Sequence, residues 1–261
     1  MKLRVFTAFS GYDSQCMALD KLGIDYELVG WSEIDKYAIQ AHNAVYPQWA
    51  DRNFGDISKI DWNEVPDFDL FTYSFPCQDI SSAGKQRGLQ EGSGTRSSLL
   101  WECQKAIEIK RPKFCLMENV AALVSEKFLP FFLEWERLMT RYGYTNYNKV
   151  LNAKDYGIPQ NRERIFMVSI HNAEQSFYWP EPFKLDKRLK DVLEQNVDER
   201  YYLSQHAIDM FNAHQKRSEE AGNGFGWKPT TGGGIAACLR AGTDRPADNY
   251  IKENETDSSK H

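Results

Sequence analysis

A chain of 261 residues, 41% hydrophobic and 13% aromatic, is long enough to bury a sizeable core, as one large domain or one domain with an appendage. Five cysteines without CxxC pairs and five histidines without ligand spacing signal neither a disulfide framework nor a metal site. The net charge of -5 argues against indiscriminate nucleic-acid binding, although a local basic groove is compatible with it.

The opening MKLRVFTAF is too short and too quickly polar for a signal peptide, and no apolar run approaches a membrane span, so a cytoplasmic protein with reduced thiols is expected. Along the first two-thirds, hydrophobic runs alternate with helical patterns. LRVFTAF (3–9) reads as a buried strand and SQCMALDKLG (14–23) as a helix ending at glycine. YELVGWS (26–32) is a second strand, followed by the amphipathic IDKYAIQAHNAVY (34–46). FDLFTYS (68–74) is a strand, SSLLWECQKAIEIK (97–110) a helix and KFCLMEN (113–119) a strand. FLPFFLEWERLMTRYG (128–143) is a helix, and RIFMVSI (164–170) closes the set as a strand. This alternation predicts an α/β fold with a doubly wound, mostly parallel, Rossmann-like sheet. Ligands in such sheets sit at the carboxyl ends of the strands.

After residue 172 the strand–helix pattern stops. The expected division is a catalytic domain over 1–172, an extension over 173–250 and a tail of disordered composition over 251–261.

The residues that follow each strand are the candidates for chemistry. AFSGYDSQ (8–15) is a strand–helix turn with Gly11 where the backbone bends closely, a pattern found with and without a ligand. Glu33 stands at the tip of the second strand, either accepting hydrogen bonds from ribose hydroxyls or serving as a helix N-terminal carboxylate. Asp56 lies in a connecting loop, GDI, where a surface turn is the default. Together these fit an adenosine-bearing cofactor, and the absence of GxxxxGK[ST] disfavours ATP. Cys77 follows the third strand in the polar loop SFPCQDISSAG; most cysteines are buried and structural, but Pro76, Gln78, Ser81 and Ser82 make this a poor place to bury one. Glu118 and Asn119 end the next strand, and Gln160, Arg162 and Arg164 enter the last. Arginine near a cysteine favours the nucleophilic thiolate.

The ordered series AFSGYDS, SEIDKYA, GDI, SFPCQDIS, GKQRGL, RSSLLWE, MENV and LNAKDYGIPQNRERIF resembles the motif series of the DNA cytosine-5 methyltransferases, which transfer a methyl group from S-adenosylmethionine to C5 of cytosine. The match is dense over residues 3 to about 170 and loose over 176–205. The resemblance implies a methyltransferase-type sheet with Cys77 adding to C6 of a base flipped out of duplex DNA, Glu118 at N3 and the exocyclic amine, Arg164 at the O2 edge, and Arg162 orienting the cysteine loop or assisting at O2. Ser81, Lys85 and Arg87 would belong to a loop closing over the DNA. Phe9 would stack near the adenine, with Ser10 and Gly11 near the methionine moiety. Glu33 would take the ribose hydroxyls, Asp56 the adenine amine, Ile34 and Ile57 the adenine faces, and Leu99 the methionine side. Family members carry more glycine in the first turn than FSGYDS does; Asp13 and Ser14 stand where glycines are common. By the resemblance, 173–250 is a hinge and partial target-recognition region, AACLRAGTDRPADNYI resembles only the start of the family's recognition domain, and the final cofactor-closing helix is not matched, so a second polypeptide supplying the rest is one expectation. Three readings stand: a bacterial or phage restriction-modification enzyme, a non-catalytic module that binds S-adenosylmethionine or a partner, and the tRNA-modifying branch of the same family.

Overall fold

The strand β1 (Leu3–Ala8) lies between β2 (Tyr26–Ser32) and β3 (Leu70–Tyr73) in the computed structural model, and is parallel to both. The structure describes residues 2–76, 99–174, 176–222, 229–238 and 250–252. Beyond β3 come β4 (Phe114–Val120), parallel to it, then β6 (Glu163–His171), antiparallel to β4, with β5 (Tyr144–Asn152) at the edge. The sheet order is therefore β2-β1-β3-β4-β6-β5. The chain moves outward from β1 to β2 and then returns to the other side of β1, so the order reverses between β1 and β3. Crevices that open at such a reversal, at the carboxyl ends, are where doubly wound sheets bind ligands.

Buried parallel strands need apolar residues on both faces, and Val5, Phe6, Phe71 and Tyr73 are fully buried. The helices α1 (Ser14–Lys21), α2 (Lys36–Val45), α3 (Leu100–Lys110) and α4 (Leu129–Arg141) accompany the sheet. In α4, Phe132, Trp135, Leu138 and Met139 fall on one side at helical spacing and are buried. Trp135 Nε1 donates to the buried hydroxyl of Tyr73 at 3.1 Å, satisfying both. Gly30 in β2 is required by close approach, because a Cβ there would lie 2.7 Å from the rings of both Phe6 and Phe54. Register slips at this point, with Val5 opposite Leu28 but Phe6 opposite Gly30.

The strand β5 was not expected. Its residues YTNYNKVLN are mostly exposed, and a polar edge strand carries no alternating hydrophobic signal. The predicted strands and helices of the first 170 residues match the observed ones to within a few residues at each end among the described residues.

The chain divides into two compact units, Met1–Leu151 with Arg164–Trp179 and Asn152–Glu163 with Pro180–His261. In the second unit, the segment Pro159–Asn161 pairs with Ala236 through Ala236 N to Pro159 O and Asn161 N to Ala236 O, both 2.8 Å. The helix α5 (Gln205–Glu220) is capped by Ser204, and a two-residue strand, β7 (Thr230–Thr231), pairs in parallel with β8 (Ile251–Lys252). Ile251 and Lys252, the first residues of the expected tail, thus lie in β8, and residues 253–261 are outside the described residues. No helix among the described residues is long and apolar enough to cross a membrane.

Candidate active site

The turn after β1 brings the backbone to the carboxylate after β2. Phe9 and Gly11 have positive φ, +55° and +59°, as does Asp13 at +66°. Asp13 N–H donates to Ser10 O at 2.8 Å and Ser10 N–H to Ser32 O at 3.3 Å, which closes the turn against the end of β2. The Gly11 N–H then points at Glu33 and donates to Oε2 at 3.0 Å. Oε1 of Glu33 accepts from Ile34 N–H at 2.8 Å and Asp35 N–H at 2.9 Å. A carboxylate offers about four lone-pair sites. Among the described residues, three are taken by these backbone donors, which leaves Oε2 able to accept one further hydrogen bond. Glu33 thus orders the backbone just ahead of α2, whose cap is Asp35, and keeps one acceptor position.

Asn53 joins this carboxylate to the loop that carries Asp56. Its Oδ1 accepts from Glu33 N–H at 3.2 Å and Gly55 N–H at 2.9 Å, while its Nδ2 donates to Glu33 O at 3.1 Å. Ser32 Oγ reinforces the link by donating to Gly55 O at 2.6 Å. Asp56 in turn accepts from Ser58 Oγ at 2.8 Å and Ser58 N–H at 3.1 Å. The Ser58 hydroxyl, then its N–H, hold the Asp56 carboxyl below its ordinary range, assisted by Lys59. Neither Asn53 nor Ser32 was picked out by sequence; an asparagine two residues before a glycine signals a turn, not a clamp between two acids.

The two expected adenine-facing isoleucines differ. Ile34 is 71% exposed beside Glu33, whereas Ile57 is 3% exposed and packed in the core. Phe9 and Leu99 are partly buried against that same core. Ser10 is buried, with its hydroxyl 3.5 Å from Ser32 O.

On the other side of the strand-order reversal, β4 and β6 bring Glu118 and Arg164 together. Arg164 Nε donates to Glu118 Oε1 at 2.9 Å, and both side chains are largely shielded from solvent. The next residue, Asn119, points to the opposite face and is buried. Its Nδ2 donates to Phe75 O at 3.0 Å and its Oδ1 accepts from Val120 N–H at 2.9 Å. The chain that leaves β3 is thereby fastened to the tip of β4, two residues before position 77. Gln15 Nε2 of α1 is 3.4 Å from Ser74 Oγ, a further contact on the same segment. Cys77, Ser81, Lys85 and Arg87 lie outside the described residues.

Arg162 belongs to the second unit. Asn152 organises its backbone, accepting from Arg162 N–H at 3.0 Å through Oδ1 and donating to Asn161 Oδ1 at 2.7 Å through Nδ2. The Arg162 guanidinium reaches Cys238, with Nη1 3.4 Å from Sγ.

An open α/β sheet with an anchored carboxylate after its second strand and a Glu–Arg pair between β4 and β6 defines a Rossmann-like fold of the S-adenosylmethionine-dependent methyltransferase class. The family model for C-5 cytosine-specific DNA methylases matches residues 3–260. The chain belongs to this family. It is 40% identical over 257 residues to the type II methyltransferase M2.ScrFI of Lactococcus lactis subsp. cremoris, covering 79% of this chain and 71% of that protein. It is 36% identical over 234 residues to the orphan methyltransferase M.SPRI of Bacillus phage SPR, covering 78% of this chain and 53% of the relative, so it spans only about half of some relatives' length. The fold is also similar to that of the S. pombe Dnmt2 methyltransferase crystal structure, with a TM-score of 0.68, 19% identity, and coverage of 91% of this chain and 71% of that one.

Proposed function

We propose that this chain forms the catalytic region of an S-adenosylmethionine-dependent DNA cytosine-5 methyltransferase acting in bacterial or phage restriction-modification. The observation that carries the reading is the Asn119–Phe75 bond, which fastens the chain leading to Cys77 beside the Glu118–Arg164 pair. Glu118 and Arg164 are borne on the adjacent strands β4 and β6, and the bonded Phe75 stands two residues before Cys77 in the chain.

The donor set fits the cofactor. Glu33 has one acceptor position left for a ribose hydroxyl, Asp56 offers a carboxylate for the adenine amine, and exposed Ile34 gives an apolar surface for the ring. Phe9, Ser10, Gly11, Ile57 and Leu99 would complete the pocket. S-adenosylmethionine, when bound, supplies an electrophilic methyl group.

The chain's own residues act on the base. Cytosine C5 is a poor nucleophile, so the Cys77 thiolate adds to C6, breaking the ring's aromaticity and making C5 electron-rich. Glu118 donates a proton at N3 as charge builds there, and Arg164 holds the O2 edge, with Arg162 supporting that edge or the cysteine loop. Once C5 carries the methyl group, loss of its proton to a base expels the Cys77 thiolate and restores the ring. Because C6 is out of reach inside a duplex, the cytosine is flipped into the site, and the loop with Ser81, Lys85 and Arg87 closes over the DNA. A second polypeptide would add surface for recognising a particular duplex sequence.

Incorporation of a tritiated methyl group tests the reading. Label recovered as 5-methylcytosine in duplex DNA, and lost in Cys77→Ala, is the expected result, with a recognition-bearing partner chain added where the chain alone is silent. Label in tRNA instead would favour the RNA-modifying branch. Cofactor binding with label in neither would favour a non-catalytic module.

A further inference from the structure

The turn between β1 and α1 rests on a buried polar cluster that the proposed transfer chemistry does not use. Asp13 is fully buried, with φ +66° and ψ +56°. That left-handed conformation is unfavourable for most side chains, and aspartate is among the few that adopt it with little penalty. Its carboxylate accepts from Thr7 Oγ1 of β1 at 2.9 Å and from Cys16 N–H of α1 at 3.5 Å. Oδ2 also lies 3.5 Å from Nε2 of His42, a fully buried residue of α2. The His42 ring stacks on Trp31 of β2 with centroids 3.7 Å apart and planes inclined by 20°. On its other side, His42 Nδ1 is 3.4 Å from Asn43 Oδ1.

A buried carboxylate is tolerated only with partners, so the position of Asp13 is dictated by its bonds to β1 and α1, with the His42 ring of α2 beside them. Asp13 in turn dictates the turn, through its N–H to Ser10 O at 2.8 Å, and the turn carries the Gly11 N–H that donates to Glu33 Oε2. The cluster reaches Glu33 by a second route, since Trp31 stands two residues before it in β2. Where glycine is common in this family, the turn would be free in the left-handed region; aspartate exchanges that freedom for an anchor.

We propose that Asp13, held by Thr7 and the Cys16 N–H, is a positioning residue for the amino-acid end of the cofactor. It fixes the Ser10–Asp13 turn at the height where Gly11 meets Glu33. The proposal rests on the reading that this site takes S-adenosylmethionine.

Two ligands separate a local positioning role from a general loss of structure. S-adenosylhomocysteine carries the amino-acid end that faces the turn, and 5′-methylthioadenosine lacks it while keeping the adenosine. Calorimetry would measure both on the whole chain as wild type, Asp13→Ala, Asp13→Asn and His42→Gln, with melting temperatures recorded alongside. Asp13→Ala is expected to weaken S-adenosylhomocysteine about tenfold and 5′-methylthioadenosine less than about twofold. Asp13→Asn, which tolerates the left-handed conformation and keeps an acceptor oxygen, should recover most of the loss. His42→Gln should show the same selectivity, and it carries the comparison if Asp13→Ala does not fold. Equal losses for both ligands, or unchanged S-adenosylhomocysteine binding in folded variants, would overturn the proposal alone. A wild-type chain that binds neither ligand would overturn the cofactor reading and the proposal with it.

Discussion

Arg164 and Glu118 form an ion pair at 2.9 Å although they do not face each other across the sheet: Glu118 is opposite Phe166, and Arg164 is opposite Val120. The contact is diagonal, on one face of an antiparallel pair, where long side chains reach a neighbour two residues out of register. Both groups are therefore held by the register of the two strands.

Glu118→Gln keeps the shape of the side chain but removes its charge and its acidity. Single-turnover methyl transfer should fall on the order of 10²–10⁴-fold, the scale for general acid catalysis. Affinity for S-adenosylhomocysteine should stay within about threefold, since Glu118 lies on β4 rather than at the turn after β1. Loss of cofactor binding in this variant would move Glu118 out of the base-binding role.

Glu33→Ala strips the partner from three backbone N–H groups, those of Gly11, Ile34 and Asp35. It should weaken S-adenosylmethionine by about 1–3 kcal/mol and lower the melting temperature as well. Asp56→Ala should weaken binding on the same ~1–3 kcal/mol scale. Its stability cost should be about 1 kcal/mol, that of removing a cap from a short helical turn. Calorimetry and thermal melts on the two variants check both numbers.

Much of this was legible in the sequence because strands and motifs here are contiguous. Glu33 follows an apolar run and Glu118 ends one, so the rule that ligands gather at carboxyl ends singles them out as candidates, whereas Asp56 stands in a connecting loop and Arg164 enters its strand. The clamps were not legible. Asn53 and Asn119 act through their amides on backbone groups 20 and 44 residues away in sequence, at Glu33 and Phe75. His42 sits within an amphipathic helix pattern, and nothing in that pattern says that its ring faces Asp13. The edge strand β5 was hidden for a different reason, since its exposed polar residues need no hydrophobic alternation.

The thiols divide by environment. Burial raises the thiols of Cys16, Cys103 and Cys115 well above the ordinary cysteine range, with the nearby Asp13 adding to the effect at Cys16. A raised value means less thiolate at a given pH, and the thiolate is the reactive form. Iodoacetamide applied to the native protein near pH 8 should therefore spare these three and label Cys77 and the partly exposed Cys238. Peptide mass spectrometry reads the result, and S-adenosylmethionine with duplex DNA should slow labelling at Cys77.

Asp69 ties the foot of β1 to β3 and β4. It accepts from Arg4 N–H, Nε and Nη2 at 2.9, 3.3 and 3.1 Å, and its own carbonyl accepts from Phe114 N–H at 2.8 Å. The Arg4 side-chain bonds hold the Asp69 carboxyl below its ordinary range. With the folded value depressed, the contribution to stability is present above the unfolded value of about 3.9 and is lost as pH falls through the folded value. Asp69→Asn should flatten the acid limb of the stability profile below about pH 4, by less than about 1 kcal/mol because the pair is solvent-screened. Denaturant titrations between neutral and acid pH measure the slope.

Cys77 is the proposed nucleophile toward the base. Duplex DNA containing 5-fluorocytosine in the recognised sequence, incubated with S-adenosylmethionine and the chain with any recognition partner, should leave a covalent complex, because fluorine cannot depart from C5 as a proton does. Mass spectrometry should place the adduct on Cys77, and Cys77→Ala should form none while binding S-adenosylmethionine as the wild type does. An adduct on Cys238 or another cysteine, or methylation of unmodified DNA by Cys77→Ala, would contradict the account.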